Sequence, residues 1–600
     1  MRIGADSGGT FTDVVAADGR VLKVLSTPSD PGAAVRAGAG ALAPGGIEVL
    51  AHGTTVATNA LLERTTATVA LFTTAGFADV IEIARQDRPS LYDPFVDRPA
   101  PLVDRDRRVE VQERLIHDGS VLVPYVAGSL PDVPDGTDAI AICFLHSDLN
   151  PVHEAAVAAE LRARGFEACA SSEVSPEMRE YERTVTTVVN AALRPVCRPY
   201  LAGLADAADQ VVVMTSAGGL LDAARGAELP AALLLSGPAA GARAAAEVAR
   251  ACGVSDAVSF DMGGTSTDVC LILDGAPTVT AEHPVAGYPV RLPALDIHTI
   301  GAGGGSIARI DAGGALAVGP ESAGADPGPA CYGLGGDRPT VTDADLVLGR
   351  IPAGTAFGAG AARVLDLDAA RRALAGAGVD AAGVIDVVNA GMEQALRQVS
   401  VVRGVDPAGL ALIAFGGAGP LHACALAEAM GMTTVVVPAA AGVLSAVGLL
   451  ISPRHRELVR TWPTGAVLDG LHDALDALAT EARAALGVEP CTVTTAVDCR
   501  YRGQSHDLRV ATVGDFHAAH ERVNGYRRDD PIEVTTLRAV AEAPAPCTIA
   551  DVLAGWSGRW TGSVVGPTVE VREDCTIWVP DGWAGREGPL GSLVLLRSGS

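Results

Sequence analysis

Lysine is nearly missing from this 600-residue chain. Lysine and arginine together number 45, and Lys23 is the single lysine among them. The shortage excludes the G-x-x-x-x-G-K-[ST] phosphate loop, whose lysine reaches the terminal phosphates. It also leaves only one candidate for Schiff-base, PLP or carbamylated-lysine chemistry. A basic surface is missing too: 71 acidic against 45 basic residues give a net charge of −26. Nucleic acids and anionic membranes are recognised by basic patches, so neither is an expected partner. Cysteine is not scarce, but its organisation is. The 11 cysteines are scattered and never form C-x-x-C, which fits reduced thiols and not a disulfide framework or an iron–sulfur cluster. No long hydrophobic run is present. The least polar stretch, near Val437 to Ile451, is broken by Pro438 and is shorter than the roughly 18 apolar residues of a membrane helix. Met1 to Asp6 leads straight into a strand-like segment without a leader pattern, so the expected location is cytoplasmic.

Glycine, by contrast, is abundant at 69 residues, above the roughly 7% of average proteins. It gathers at Gly8-Gly9, Gly218-Gly219, Gly263-Gly264, Gly301 to Gly305 and Gly416 to Gly419, mostly where an apolar strand-like run ends. Such runs alternate with helical stretches, one of them opened by Asn150-Pro151 and stopped at Gly165. The pattern predicts an α/β fold built on parallel or mixed sheets. At roughly 150 residues per domain the length suits three or four domains. The expected boundaries give a first unit over 1–180, a second over 181–460, and a small β-containing C-terminal domain over 461–600.

An internal repeat is the most informative feature. Asp6-Ser7-Gly8-Gly9-Thr10-Phe11-Thr12-Asp13 and Asp261-Met262-Gly263-Gly264-Thr265-Ser266-Thr267-Asp268 share D-x-G-G-T-x-T-D. Each follows an apolar strand, and each precedes a second strand and an Asp-Gly turn, Asp18-Gly19 or Asp274-Gly275. A turn of this composition offers backbone N–H groups and hydroxyls to phosphate oxygens. The flanking carboxylates repel phosphate unless a divalent cation lies between, and Mg²⁺ prefers one or two carboxylates plus water and phosphate. Two facing copies would clamp a polyphosphate in a cleft between two domains, with no lysine required.

This pattern resembles the sugar-kinase/heat-shock ATPase/actin superfamily, whose duplicated domains carry two phosphate loops and an adenosine-contacting glycine motif. Gly416-Gly417-Ala418-Gly419, after the strand-like Ala411 to Phe415 and before a helix-like stretch, occupies the place of that motif. The resemblance narrows with His52-Gly53-Thr54-Thr55-Val56-Ala57-Thr58-Asn59, Arg85-Gln86-Asp87-Arg88-Pro89, Ser236-Gly237-Pro238-Ala239-Ala240-Gly241, Asp296-Ile297-His298-Thr299-Ile300-Gly301-Ala302-Gly303-Gly304-Gly305-Ser306, Gly324 to Tyr332, and Tyr501-Arg502-Gly503-Gln504-Ser505. In order and over nearly the whole chain, these are similar to the hydantoinase A/oxoprolinase family. His146, where an aromatic is expected, and a shortened stretch at 540–566 depart from it.

The resemblance implies duplicated actin-like ATPase domains around a nucleotide cleft, and ATP-dependent opening of a hydantoin, oxoproline or other lactam. The A-type chain would phosphorylate the carbonyl oxygen and work with a separate B-type chain in a hetero-oligomer. Two alternatives stay open: the ATP-using subunit of an acetone- or acetophenone-type carboxylase acting on a ketone, and a non-catalytic actin-like nucleotide switch. With ATP and Mg²⁺ as cofactors, Asp6 and Asp261 would hold the hydrated Mg²⁺, supported by Asp13 and Asp268. Gly8, Gly9, Thr10, Thr12, Gly263, Gly264, Thr265, Ser266, Thr267, Gly303 and Gly304 would contact the phosphates, and Gly416 to Gly419 the adenosine. Asp296 and His298 alternate on a strand and share a face; with His52 they would form a second divalent site, for Zn²⁺ or Mn²⁺. The alternative is that Asp296 only orients His298. His517 and His520 read as a packed or surface pair, and Cys331 as a buried thiol.

Overall fold

The computed structural model describes residues 1–600 except 10, 28–29, 358–362, 464 and 599–600. Two sheets with one wiring pattern dominate it. In the first, β1 (Arg2–Ser7) pairs antiparallel with β2 (Phe11–Ala16), which pairs with β3 (Val21–Leu25). On its other edge β1 runs parallel to β4 (Val49–Thr54), and β4 parallel to β5 (Gln210–Met214). With β6 (Leu220–Asp222) the order is β6-β5-β4-β1-β2-β3.

The second sheet repeats this. β7 (Ala257–Met262) pairs antiparallel with β8 (Thr267–Leu273), then β9 (Ala276–Pro277). On the other side β7 is parallel to β10 (Ala411–Phe415), and β10 to β11 (Thr434–Val437). The strands β1, β4, β7 and β10 are buried nearly throughout, as parallel strands covered on both faces must be. The sequence repeat is therefore a repeat of topology. This is the duplicated α/β architecture expected.

Two helices join the halves. α1 (Ser236–Ala251) links β6 to β7, and α2 (Leu444–Ile451) follows β11 yet packs on β1. They cross each other along a seam of small residues. A Cβ on Gly448 would stand 2.0 Å from the Ala240 carbonyl oxygen, and one on Gly4 of β1 would stand 2.4 Å from that of Ala446. Only glycine allows backbones this close.

The expected boundaries shift in three places. The 181–235 stretch belongs to the first unit, because β5 and β6 complete its sheet. Between β4 and β5 that unit also carries an inserted, all-parallel sheet of Ala168–Ala170, Ala139–Cys143, Val69–Thr74 and Arg108–Val111. The 461–600 stretch is not one domain. His455–Thr461, Ile532–Glu542, Thr492–Tyr501 and Leu508–Val510 form a separate antiparallel sheet. The tail then returns to the second large sheet, where β12 (Ser563–Val565), β13 (Trp583–Glu587) and β14 (Leu593–Arg597) extend it in the order β11-β14-β13-β12. His517 and His520 are a packed pair: His517 Nδ1 bonds the Tyr501 hydroxyl at 2.7 Å, and the buried His520 packs on Tyr501 and Phe516. Cys331 is fully buried.

A four-carboxylate cleft between matched turns

A cleft of about 2080 Å³ separates the two large sheets, and both copies of the repeat open into it. Asp6 sits directly opposite Asp13 across β1 and β2, and Asp261 opposite Asp268 across β7 and β8. The turns match bond for bond: Gly8 N–H donates to Phe11 O at 2.9 Å, and Gly263 N–H to Ser266 O at 3.1 Å. Thr10 lies outside the described residues. Gly9, Gly264, Thr265 and Ser266 line the cleft, and a Cβ on Gly9 would meet nothing within 4 Å.

Each aspartate at a strand end also faces a helix N-terminus. Gly237, in the first turn of α1, would place a Cβ 3.1 Å from Asp6 Oδ1. Ser445, in the first turn of α2, donates to Asp261 Oδ2 at 3.4 Å. Gly416 has φ 78° and would place a Cβ 2.3 Å from Asp261 Oδ1, so glycine is required there on two counts. Gly417 and Ala418 line the cleft; a Cβ on Gly417 would meet nothing. Helix α3 (Gly419–Met430) starts at this turn, and Gly419 itself packs beneath it against Met262 and Phe260.

Charge is the dominant property of the site. Burial, then the charges of Asp13 and Asp268, push the Asp6 carboxyl up to about 7. Burial pushes Asp268 up to about 6, raises Asp13, and with the charges of Asp268 and Asp6 drives Asp261 well above the carboxylate range. The cation touching this group is Lys23, whose Nζ lies 2.7 Å from Asp13 Oδ1 and donates to Gly442 O at 2.8 Å. Among the described residues one ammonium contacts these four buried carboxylates, so the cleft is short of positive charge, which fits a hydrated divalent cation on one or two of them together with a polyphosphate. Asp6 and Asp261 both line this cleft at the ends of the paired strands.

Three expected contacts are corrected. Thr12 and Thr267 are buried with their hydroxyls spent inside the protein. Thr12 Oγ1 bonds Ser7 and Ser26, and Thr267 Oγ1 donates to Ala302 O at 2.5 Å. Strand alternation sends the aspartates into the cleft and these neighbours to the opposite face. Gly303 does not line the cleft but supports the second turn, its Cβ position 2.7 Å from the Gly264–Thr265 peptide; Gly304 lines it and donates to Gly263 O at 3.0 Å. The second metal site is not assembled. His52 is fully buried, donating from Nδ1 to Ala5 O at 2.8 Å, which leaves Nε2 to accept the Tyr200 hydroxyl at 2.6 Å. No lone pair remains for a metal. Asp296 pairs with Arg403 at 2.6 Å instead of orienting His298, although both line the cleft. Among the described residues no group of three or more His, Cys, Asp or Glu side chains forms a metal-holding set.

Lys23, Gly237 and Ser445 were given no role in this site from sequence. Leu235-Ser236 and Leu444-Ser445 each head a helix at the corresponding place in the two halves, and that shared dipeptide was the available signal.

Comparisons agree with this architecture. The family model described as "Hydantoinase/oxoprolinase N-terminal region" matches residues 2–165, and "Hydantoinase/oxoprolinase" matches residues 183–457. The chain is 35% identical to the caprolactamase subunit alpha of Pseudomonas jessenii, over 89% of this chain and 86% of that one. It is 34% identical to the acetophenone carboxylase gamma subunit of Aromatoleum aromaticum, over 71% and 64%. The crystal structure of the ATP-dependent caprolactamase from Pseudomonas jessenii superposes with a TM-score of 0.82 at 30% identity, covering 100% of both chains. The repeat, the duplicated sheets and these matches together place the chain in the hydantoinase/oxoprolinase family.

Proposed function

We propose that this chain is the ATP-using, A-type subunit of an enzyme that opens a cyclic amide by hydrolysis. The observation that carries the reading is the matched register of Asp6 with Asp13 and of Asp261 with Asp268 around one cleft. That arrangement suits phosphoryl transfer, where catalysis is chiefly positioning and charge neutralisation. The caprolactamase relatives supply the acceptor class.

An amide carbon is a weak electrophile and its oxygen a poor leaving group. Transfer of the γ-phosphoryl to the carbonyl oxygen breaks the bond between the γ-phosphorus and the bridging oxygen and releases ADP. Water then adds to the activated carbon, the ring C–N bond breaks with a proton delivered to nitrogen, and a second water cleaves the resulting acyl phosphate to carboxylate and phosphate. A bound Mg²⁺ supplies neutralisation of the phosphate charge. The protein's part is to hold Asp6 and Asp261 at the ends of paired strands, with the N–H groups of the two glycine turns on the phosphates. Lys23 keeps Asp13 fixed.

A partner chain fits the relatives' names, subunit alpha and gamma subunit. It also fits the segment bearing Leu91, Tyr92 and Phe95, which are 80%, 96% and 89% exposed; apolar surface of this kind is covered in assemblies. A B-type subunit is the proposed partner. The acetophenone carboxylase relative supports a second reading, in which a ketone oxygen receives the phosphoryl group before carboxylation. The test is phosphate release and product formation by the co-expressed pair on a panel of lactams, hydantoins and ketones with ATP. Lactam-stimulated hydrolysis with ring opening is expected. Stimulation only by ketone plus bicarbonate would transfer the conclusion to the second reading, and no stimulation by any of them would leave a nucleotide switch.

A further inference from the structure

Resting on the cyclic-amide reading, the far wall of the cleft points to the group that holds the substrate. Strand His283–Val285 pairs with Tyr288–Val290, with His283 opposite Val290. Alternation buries His283 and Val285 and exposes Pro284 between them. Val285, Tyr288 and Val290 are anchored in the core of the first unit, and helix Val56–Leu62, just beyond β4, packs on this strand. The histidine is thus fixed by backbone pairing and packing.

Among the described residues it is the buried histidine with neither ring nitrogen hydrogen-bonded. His52 has both nitrogens bonded, His153 bonds Glu113 and Tyr125, and His520 bonds Gln504 and the Tyr526 carbonyl. His422 bonds Asn389 through Nδ1 and has Asp345 3.4 Å from Nε2. His283 is only 6% exposed and has no partner at Nδ1 or at Nε2. Buried polar groups are almost always satisfied, and one left open twice over is costly. His283 lines the cleft together with Thr58, Leu62, Leu235 and Glu282. Leu235 is held at φ 57° immediately before α1, and such backbone strain clusters at functional sites.

We propose that His283 holds the ring amide of the substrate, through hydrogen bonds from its neutral imidazole to the amide carbonyl or N–H. Burial pushes this histidine down to about 4, so near neutral pH one nitrogen donates and the other accepts. A ring amide offers the complementary acceptor and donor, and Leu62 and Leu235 suit its methylene groups.

The test uses the assembled complex with the partner subunit and the lactam or imide that the unsubstituted complex turns over best. His283→Leu should raise KM for that amide at least tenfold, move KM for ATP by less than twofold, and leave Tm unchanged or higher, because two unpaired polar atoms are removed. His283→Asn places its amide where Nδ1 stands and His283→Gln where Nε2 stands, so at least one of the two must raise KM for the amide even if the leucine variant fails to fold. The inference is overturned if KM for the amide stays within twofold in the folded variants, or if both KM values rise together with a fall in Tm, as a merely structural role requires. If the unsubstituted complex opens no ring at all, the functional reading fails and the role of His283 falls with it. An active parent with an indifferent variant sinks the inference alone.

Discussion

Gly448→Ala tests whether the two halves are held at a fixed separation by the α1–α2 crossing. The new Cβ would stand 2.0 Å from the Ala240 carbonyl oxygen and 2.6 Å from its carbon. A carbon–oxygen contact is tolerated at about 3.3 Å, so the helices must part by roughly 1 Å. Both positions are fully buried, and the atom in the way is backbone, which has no rotamer to swing aside. Overpacking of this kind costs about 1–3 kcal/mol, which is roughly 2–12 °C in Tm for a unit of 150–250 residues. The loss of activity should be larger in proportion. The first turn of α1 carries Gly237 beside Asp6, and the first turn of α2 carries Ser445 beside Asp261. A displacement of about 1 Å at reacting groups costs on the order of 100-fold in rate. The assay is thermal unfolding beside ATP hydrolysis, with Gly40→Ala as the reference. Gly40 is exposed in helix Pro31–Leu42 and a Cβ there meets nothing within 4 Å, so that variant should gain about 0.5–1 kcal/mol. If Gly448→Ala behaves like Gly40→Ala in stability, or keeps full activity, the seam does not set the separation of the halves.

Other outcomes follow from buried charge and hydrogen bonding. Asp6 is held at about 7 in the folded protein against about 3.9 when unfolded, so its contribution to stability is full below pH 4 and is lost as pH rises through 7. In metal-free buffer the advantage of Asp6→Asn over the parent should therefore grow from pH 4 to 7 and level off above, whereas with Mg²⁺ present its ATP hydrolysis should fall about 100-fold; unfolding curves with chelator across that range check the first, and a pH-independent difference would count against it. Arg538 is almost fully buried and ties Glu177, Glu457 and Asp498 together at 2.6–3.3 Å. Arg538→Met should cost about 3–5 kcal/mol by stranding those acids, read by denaturant unfolding. Tyr200→Phe removes the hydroxyl that His52 accepts and should cost about 1–2 kcal/mol with no change in bound metal; a loss of metal would restore His52 as a ligand.

What could be read from the sequence was local. The D-x-G-G-T-x-T-D pairs announced themselves because a glycine turn between apolar runs fixes a hairpin within a few residues, and the register of Asp6 on Asp13 follows from it. What could not be read depends on pairing across hundreds of residues. Nothing in 583–597 says that it will extend a sheet begun at Ala257. His52 carried the right ligand chemistry, and only the fold reveals that Ala5 and Tyr200 have used both of its nitrogens. Thr12 failed for a simpler reason: strand alternation predicts that it faces away from Asp13, and the turn composition drew attention from that parity.

The solitary lysine has a practical consequence for following this protein in solution. A protease that cleaves only after lysine has one recognition site in the whole chain, and it lies on β3, hydrogen-bonded into the first sheet and pinned to Asp13 and Gly442. Cutting there requires that strand to leave its sheet. The rate of a single clean scission thus becomes a clock for release of that strand, which borders the cleft, and ligands that bind there and hold the strand in its sheet will slow it.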